Sequence, residues 1–184
     1  MESSDLTMEQ GDAEQRASDL EKKQISILRS GNIKATLDTI KEIRESGSTS
    51  ILPEIFDLLM DSEDREVQAS CRGLLNDLKS EDGAEFIVSA LKADKYKPIR
   101  SDLLAACWQN GLKYHSNILL FADILLKDDY ATGIEAFTVI ENHLGELNDQ
   151  QIVTLLNMLS SGLSSVEEQK KLLINEMISV IKNF

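Results

Sequence analysis

The sequence is short of the residues that break helices, build sheets or carry out chemistry. It has two prolines, nine glycines and 5% aromatics in 184 residues. That poverty argues against a β-sandwich, which draws on Val, Thr, Tyr and many turn residues. Cysteine is nearly absent too: Cys71 and Cys107 each sit in an apolar run. Two cysteines at this length exclude a disulfide framework and read as small buried hydrophobes. The two histidines, His115 and His143, stand alone, one opening a helical stretch and one near a helix end. There is no C-x-x-C, H-E-x-x-H, glycine-rich phosphate loop or G-x-S-x-G. Nothing therefore names a metal site, a cofactor site or a nucleophile with its base. The acidic stretch Asp61–Asp64 fails as a calcium loop, with Glu66 where a glycine is needed and Arg72 where an acid is needed. It reads as a solvated turn, and Asp128–Asp129 reads as a helix N-cap feature. The expectation is a protein that is not an enzyme and needs no cofactor.

Basic residues are also in deficit, 19 against 32 acids, for a net charge of −13. A nucleic-acid-binding chain needs a basic patch to displace counterions, and an anionic membrane attracts basic segments. Neither partner is expected. No run reaches 18 consecutive apolar residues, and the opening MESSDLTMEQGD has neither a basic nor an apolar signal region. The expected location is the cytoplasm. The acidity serves solubility in one reading and attraction to a basic protein in another.

What is present is helical periodicity. Residues 1–17 are polar and acidic and are expected to form a disordered tail or a frayed first helix. From residue 18 to 184, apolar residues recur every three or four positions, with polar breaks every 12 to 18 residues. The pattern predicts an all-α domain of five helix pairs: 18–30 with 32–46, 51–61 with 64–79, 83–93 with 97–112, 115–127 with 129–145, and 149–161 with 165–182. Asn32 is a candidate cap, Pro53 and Pro98 suit helix starts, and Ser165 with Glu168 form a potential capping box. The first apolar residues of the second helices are Ile33, Val67, Ile99, Ile134 and Val166, spaced by 34, 32, 35 and 32. Each follows a Leu and a polar turn. Self-similarity at this period points to a solenoid, because a two-helix unit cannot bury both apolar faces without neighbours. The charged helix 18–30 and the Lys170–Lys171 stretch suit its two ends.

These residues resemble the HEAT repeat family in its short bacterial-type form. That family pairs a Leu-rich first helix with a turn of the kind Asp-x-Asp-x-x-Val-Arg and an Ala- and Leu-rich second helix. DLLMDSEDREVQASCRGLLNDL (57–78) is the best copy, with Gln68 in place of the Arg. Residues 90–107 restore it as Ile99-Arg100, and residues 26–43 carry Ile33-Lys34. The later copies drift, to Ile134-Glu135 and Val166-Glu167. A tetratricopeptide array has a similar period, but its Trp, Gly, Tyr and Pro landmarks do not recur. The resemblance implies an α-solenoid of about five antiparallel helix pairs, armadillo-like, in a right-handed superhelix.

It also implies that the second helices line a concave face that holds a partner protein. The candidate partner-binding residues are Arg65, Gln68, Arg72 and Asn76, then Lys97, Arg100 and Trp108, then Glu135, Thr138 and Asn142. Trp108, the only tryptophan, has two readings: an interface anchor, or one member of a Leu104–Trp108–Leu112 packing stripe. The fourth pair is the most acidic region, net −5 over residues 114–147. The expected function is a non-catalytic scaffold or adaptor. The alternative is an acidic inhibitor or immunity-type protein that neutralises a basic partner.

Overall fold

The computed structural model describes the backbone from Glu2 and the side chains from Gln15 to the C-terminus. Among the described residues there are ten α-helices, four short 3-10 turns and no strand. The chain divides into two compact units, Met1–Cys71 and Arg72–Phe184, with the division inside the fourth helix.

The first unit holds α1 (Glu2–Leu28), α2 (Ile33–Ser46), α3 (Leu52–Asp61) and the start of α4 (Arg65–Asn76). The expected tail, 1–17, falls mostly on residues 1–14, outside the described side chains; residues 15–17 lie in α1. Asn32 caps α2 by accepting from the Ala35 amide, and Gly47 ends it at φ 71°, a left-handed conformation that favours glycine. Pro53 sits in the first turn of α3, where its missing N–H costs no hydrogen bond. α1 packs against α2 and α3, and the Arg29 guanidinium at its end grips both Glu54 oxygens on α3. Ile40, Ile43, Ile51, Leu52, Ile55 and Phe56 are buried. Asp64 is more than a solvated turn residue: its Oδ1 accepts from the Glu66 amide at 2.9 Å and the Val67 amide at 3.0 Å, capping α4.

The second unit holds the end of α4, then α5 (Glu81–Lys92), α6 (Arg100–Gln109), α7 (Ile118–Lys127), α8 (Tyr130–His143), α9 (Asp149–Gly162) and α10 (Glu168–Asn183). α5 packs on α6, α7 on α8 and α9 on α10 within pairs. Between pairs, α6 packs on α8, α8 on α10 and α7 on α9. Leu103, Leu104, Cys107, Tyr114, Phe121, Val139, Ile140, Leu155, Leu159, Ile174 and Met177 are buried.

Three predicted helix limits shift for local reasons. Residues 94–99 form a 3-10 turn containing Pro98, so α6 starts at Arg100 instead of 97. α6 stops at Gln109, and Gly111 at φ 70° turns the chain, so Leu112 is not on that helix. Ser165 lies in a 3-10 turn ahead of extended Val166, and α10 starts at Glu168 with Glu167 at its N-cap. The expected Ser165–Glu168 capping box is therefore not formed; one forms instead at α9, between Asn148 and Gln151.

Short helices leave many unpaired carbonyls at their ends, and side chains from elsewhere in the chain take them. In the second unit Arg100 Nη2 donates to Leu91 O at 3.0 Å, in the last turn of α5. Asn110 Nδ2 reaches Leu75 O at 3.4 Å. Lys170, expected as a polar end of the stack, is buried; its Nζ donates to Leu126 O at 2.9 Å and to the Asp128 carbonyl, sealing the end of α7. Burial lowers its pKa, against the pull of Asp128, Asp129 and Glu167. The partner of this work in the first unit is Gln68, which donates to Ser62 O at 2.7 Å, past the end of α3.

Replacing Lys170 with Met would keep the stem and strand two carbonyls. Urea denaturation should show a loss of about 1–3 kcal/mol. Asp129 caps α8 by accepting from the Thr132 amide at 3.1 Å and its hydroxyl at 2.7 Å, and these bonds lower its pKa. A lowered folded-state pKa means stability present above the usual carboxylate range and lost as pH falls through the folded value. Asp129→Ala should therefore cost about 1 kcal/mol at neutral pH, with melting curves of variant and wild type converging in acid.

Candidate partner-binding face

On α6, Leu103, Leu104, Ala106 and Cys107 turn inward, leaving Ser101, Asp102, Ala105, Trp108 and Gln109 partly or fully open. On α8, Ala136, Val139, Ile140 and His143 are buried, and Ile134, Glu135, Thr138, Glu141 and Asn142 form the open stripe at helical spacing. The two helices pack against each other. Trp108 Nε1 donates to Glu135 Oε2 at 2.7 Å, which fixes the indole across the α6–α8 junction. Trp108 is 37% exposed and Ile134 beside Glu135 is 42% exposed. The packing-stripe reading of Trp108 fails, because the helix ends before Leu112 and the indole lies on the open side while Leu104 and Leu112 are buried.

The structure brings several candidates together in pairs. Arg72 Nε meets Asp102 Oδ1 at 2.7 Å, and Asn76 Nδ2 donates to Gln109 Oε1 at 2.8 Å. With Trp108–Glu135 these contacts join residues 30, 33 and 27 positions apart. Thr138 uses its hydroxyl on Ile134 O, and Asn142 is exposed. In the first unit Arg65 is exposed, whereas Gln68 is turned to the Ser62 carbonyl. Lys97 is exposed in the 3-10 turn and pairs with Asp94.

Arg100 was expected on the solvent side and is buried instead. Its side chain is 9% exposed, bonded to Leu91 O and at 2.7 Å to Asp128 Oδ2. The reason is the start of α6: with the helix beginning at Arg100, helical phase turns that position toward the α5 and α7 turns. Sequence reasoning missed Asp102, Gln109 and Ile134 as members of this face. The 101–105–108 spacing, opposite the apolar 103–104–107 set, carried the signal for α6.

Both cysteines, Tyr114 and His143 are buried. Burial pushes the Cys107 thiol far above its usual pKa, so it holds no thiolate. Tyr114, buried beside it, is raised as well, by burial and by Cys107. His143 is buried with Nδ1 2.8 Å from Val139 O and Nε2 3.2 Å from Leu112 O, stacked edge-on to Tyr114. His115 opens a 3-10 turn, its Nδ1 2.8 Å from Glu146. Among the described residues, no group of three or more His, Cys, Asp or Glu is placed to hold a metal, and no helix is long and apolar enough to cross a membrane.

No family model matches the sequence, and neither a curated protein nor a solved structure matches it.

The two arginine pairs differ in burial, and their removal should differ in consequence. Arg100→Ala leaves Asp128, 19% exposed, and the Leu91 carbonyl without their donor, and should cost about 3 kcal/mol. Arg72, 42% exposed, should cost below about 1 kcal/mol when replaced by Ala. Parallel urea titrations check the ratio.

Proposed function

We propose that this protein is a non-catalytic, cytoplasmic protein-binding scaffold, built as a solenoid of HEAT-like helix pairs. Support for the layered arrangement comes from the packing of α6 on α8, α8 on α10 and α7 on α9. Side-chain bonds that recur about one repeat apart add to it. In the second unit these contacts join helices two apart in the chain, the pattern that a repeat stack requires.

The observation that carries the functional reading is Trp108. Trp108, the only tryptophan, is 37% exposed and held by a 2.7 Å bond to Glu135 beside exposed Ile134, and Trp is among the residue types most enriched in binding hot spots. A rigid aromatic loses little entropy on binding and gains a large contact area, which makes it an efficient anchor. An inhibitor of a basic protein is a special case of the same reading, favoured by Glu135 and Glu141 on α8, a helix without Lys or Arg.

Affinity purification of the full chain from its native host tests the proposal. Wild type should retain a protein at fixed stoichiometry. Trp108→Ala and Ile134→Ser should each lose it by about tenfold or more in affinity, with the melting temperature of Ile134→Ser unchanged within about 2 °C because that site is open. Absence of a stoichiometric partner, or a partner held equally by both variants, sinks the reading.

A further inference from the structure

The open face of α6 and α8 also carries a charge signature, and it restricts what can dock there. α6 contains one basic residue, Arg100, and it is buried between Leu91 O and Asp128. α8 (YATGIEAFTVIENH) contains no Lys or Arg, and its His143 is buried. The acids on these two helices are Asp102, Glu135 and Glu141. Asp102 is answered by Arg72 at the edge of the face. Glu135 accepts from the neutral indole of Trp108, which leaves its charge intact. Glu141 lies on the open stripe, seven residues beyond Ile134 and so two turns along the same side of the helix. The face thus presents two apolar anchors, Trp108 and Ile134, flanked by two carboxylates that neither helix neutralises.

We propose that this face docks a cationic, amphipathic protein segment, with a large apolar side chain seated against Trp108 and Ile134 and Lys or Arg side chains reaching Glu135 and Glu141. The inference rests on the scaffold reading above and adds the chemistry of the partner. The apolar pair supplies the desolvated centre that gives affinity, and the glutamates at its edge supply orientation and rate of encounter. A second copy of this chain brings the same glutamates to the interface and is repelled. Anionic lipid and nucleic acid are repelled by the same charges.

The sole tryptophan is the reporter. The full chain is titrated with three synthetic helical peptides: one of Leu and Lys, one with Glu for Lys, and one with Ser for Leu. The Leu/Lys peptide should shift Trp108 emission to the blue, and its affinity should fall about tenfold between low and moderate salt. Glu135→Gln with Glu141→Gln should weaken it by about tenfold, and Ile134→Ser by a similar factor. The Ser/Lys peptide should leave the emission unmoved. Equal binding of the Glu peptide, or Leu/Lys binding indifferent to all three substitutions, overturns the proposal. So does concentration-dependent self-association abolished by Ile134→Ser, or binding to phosphatidylserine-containing vesicles. A natural partner whose capture needs Trp108 but ignores salt and the two glutamine variants leaves the scaffold reading standing and refutes this one.

Discussion

Helix ends are the constraint on which the rest of this structure depends. Helices of 10 to 16 residues follow one another from α2 to α10, and each leaves carbonyls at its C-terminus with no partner in its own helix. A chain of few long helices would face this problem rarely; this one faces it at every turn. Its solution is to send a side chain from elsewhere to the exposed carbonyls: Gln68 to Ser62, Arg100 to Leu91, Asn110 to Leu75, and Lys170 to Leu126 and Asp128. A buried unpaired carbonyl costs more than a made bond gains, so these polar contacts fix the position of the turns while apolar burial supplies the bulk of the stability.

That division explains what was readable in the sequence. Apolar periodicity is a property of each helix alone, so all ten helical segments and most of their limits could be placed from the spacing of residues such as Ile40, Ile43, Leu74 and Leu78. Local capping was partly readable, since Asn32 and Asp129 act within three residues of themselves. The roles of Arg100 and Lys170 were not, because each answers a group 9 to 44 positions away, and nothing local says that a charged side chain will be drawn inward. The same non-locality misled the reading of the candidate face. Arg100 follows the aligned apolar residue and suggested exposure, while Asp102, two positions on, holds the open site. Trp108 was undecidable from spacing until the end of α6 at Gln109 detached Leu112 from its stripe.

The face on α6 and α8 follows from the same architecture. Packing turns one side of each helix toward the interior, and the side left over is set by phase, not by the nature of its residues. Trp108 and Ile134 lie on that side, and the fold holds them on adjoining helices through a bond to Glu135.

Arg100 has a wider consequence. One guanidinium holds a carbonyl in the last turn of α5 and the carboxylate of Asp128 in the turn between α7 and α8. Deleting residues 115–147 as a unit, or transplanting a foreign pair there, would leave a cation enclosed with no anion. Donor and acceptor lie 28 residues apart on different helices, so any recombination of this chain must cut on both sides of the bridge and carry it whole.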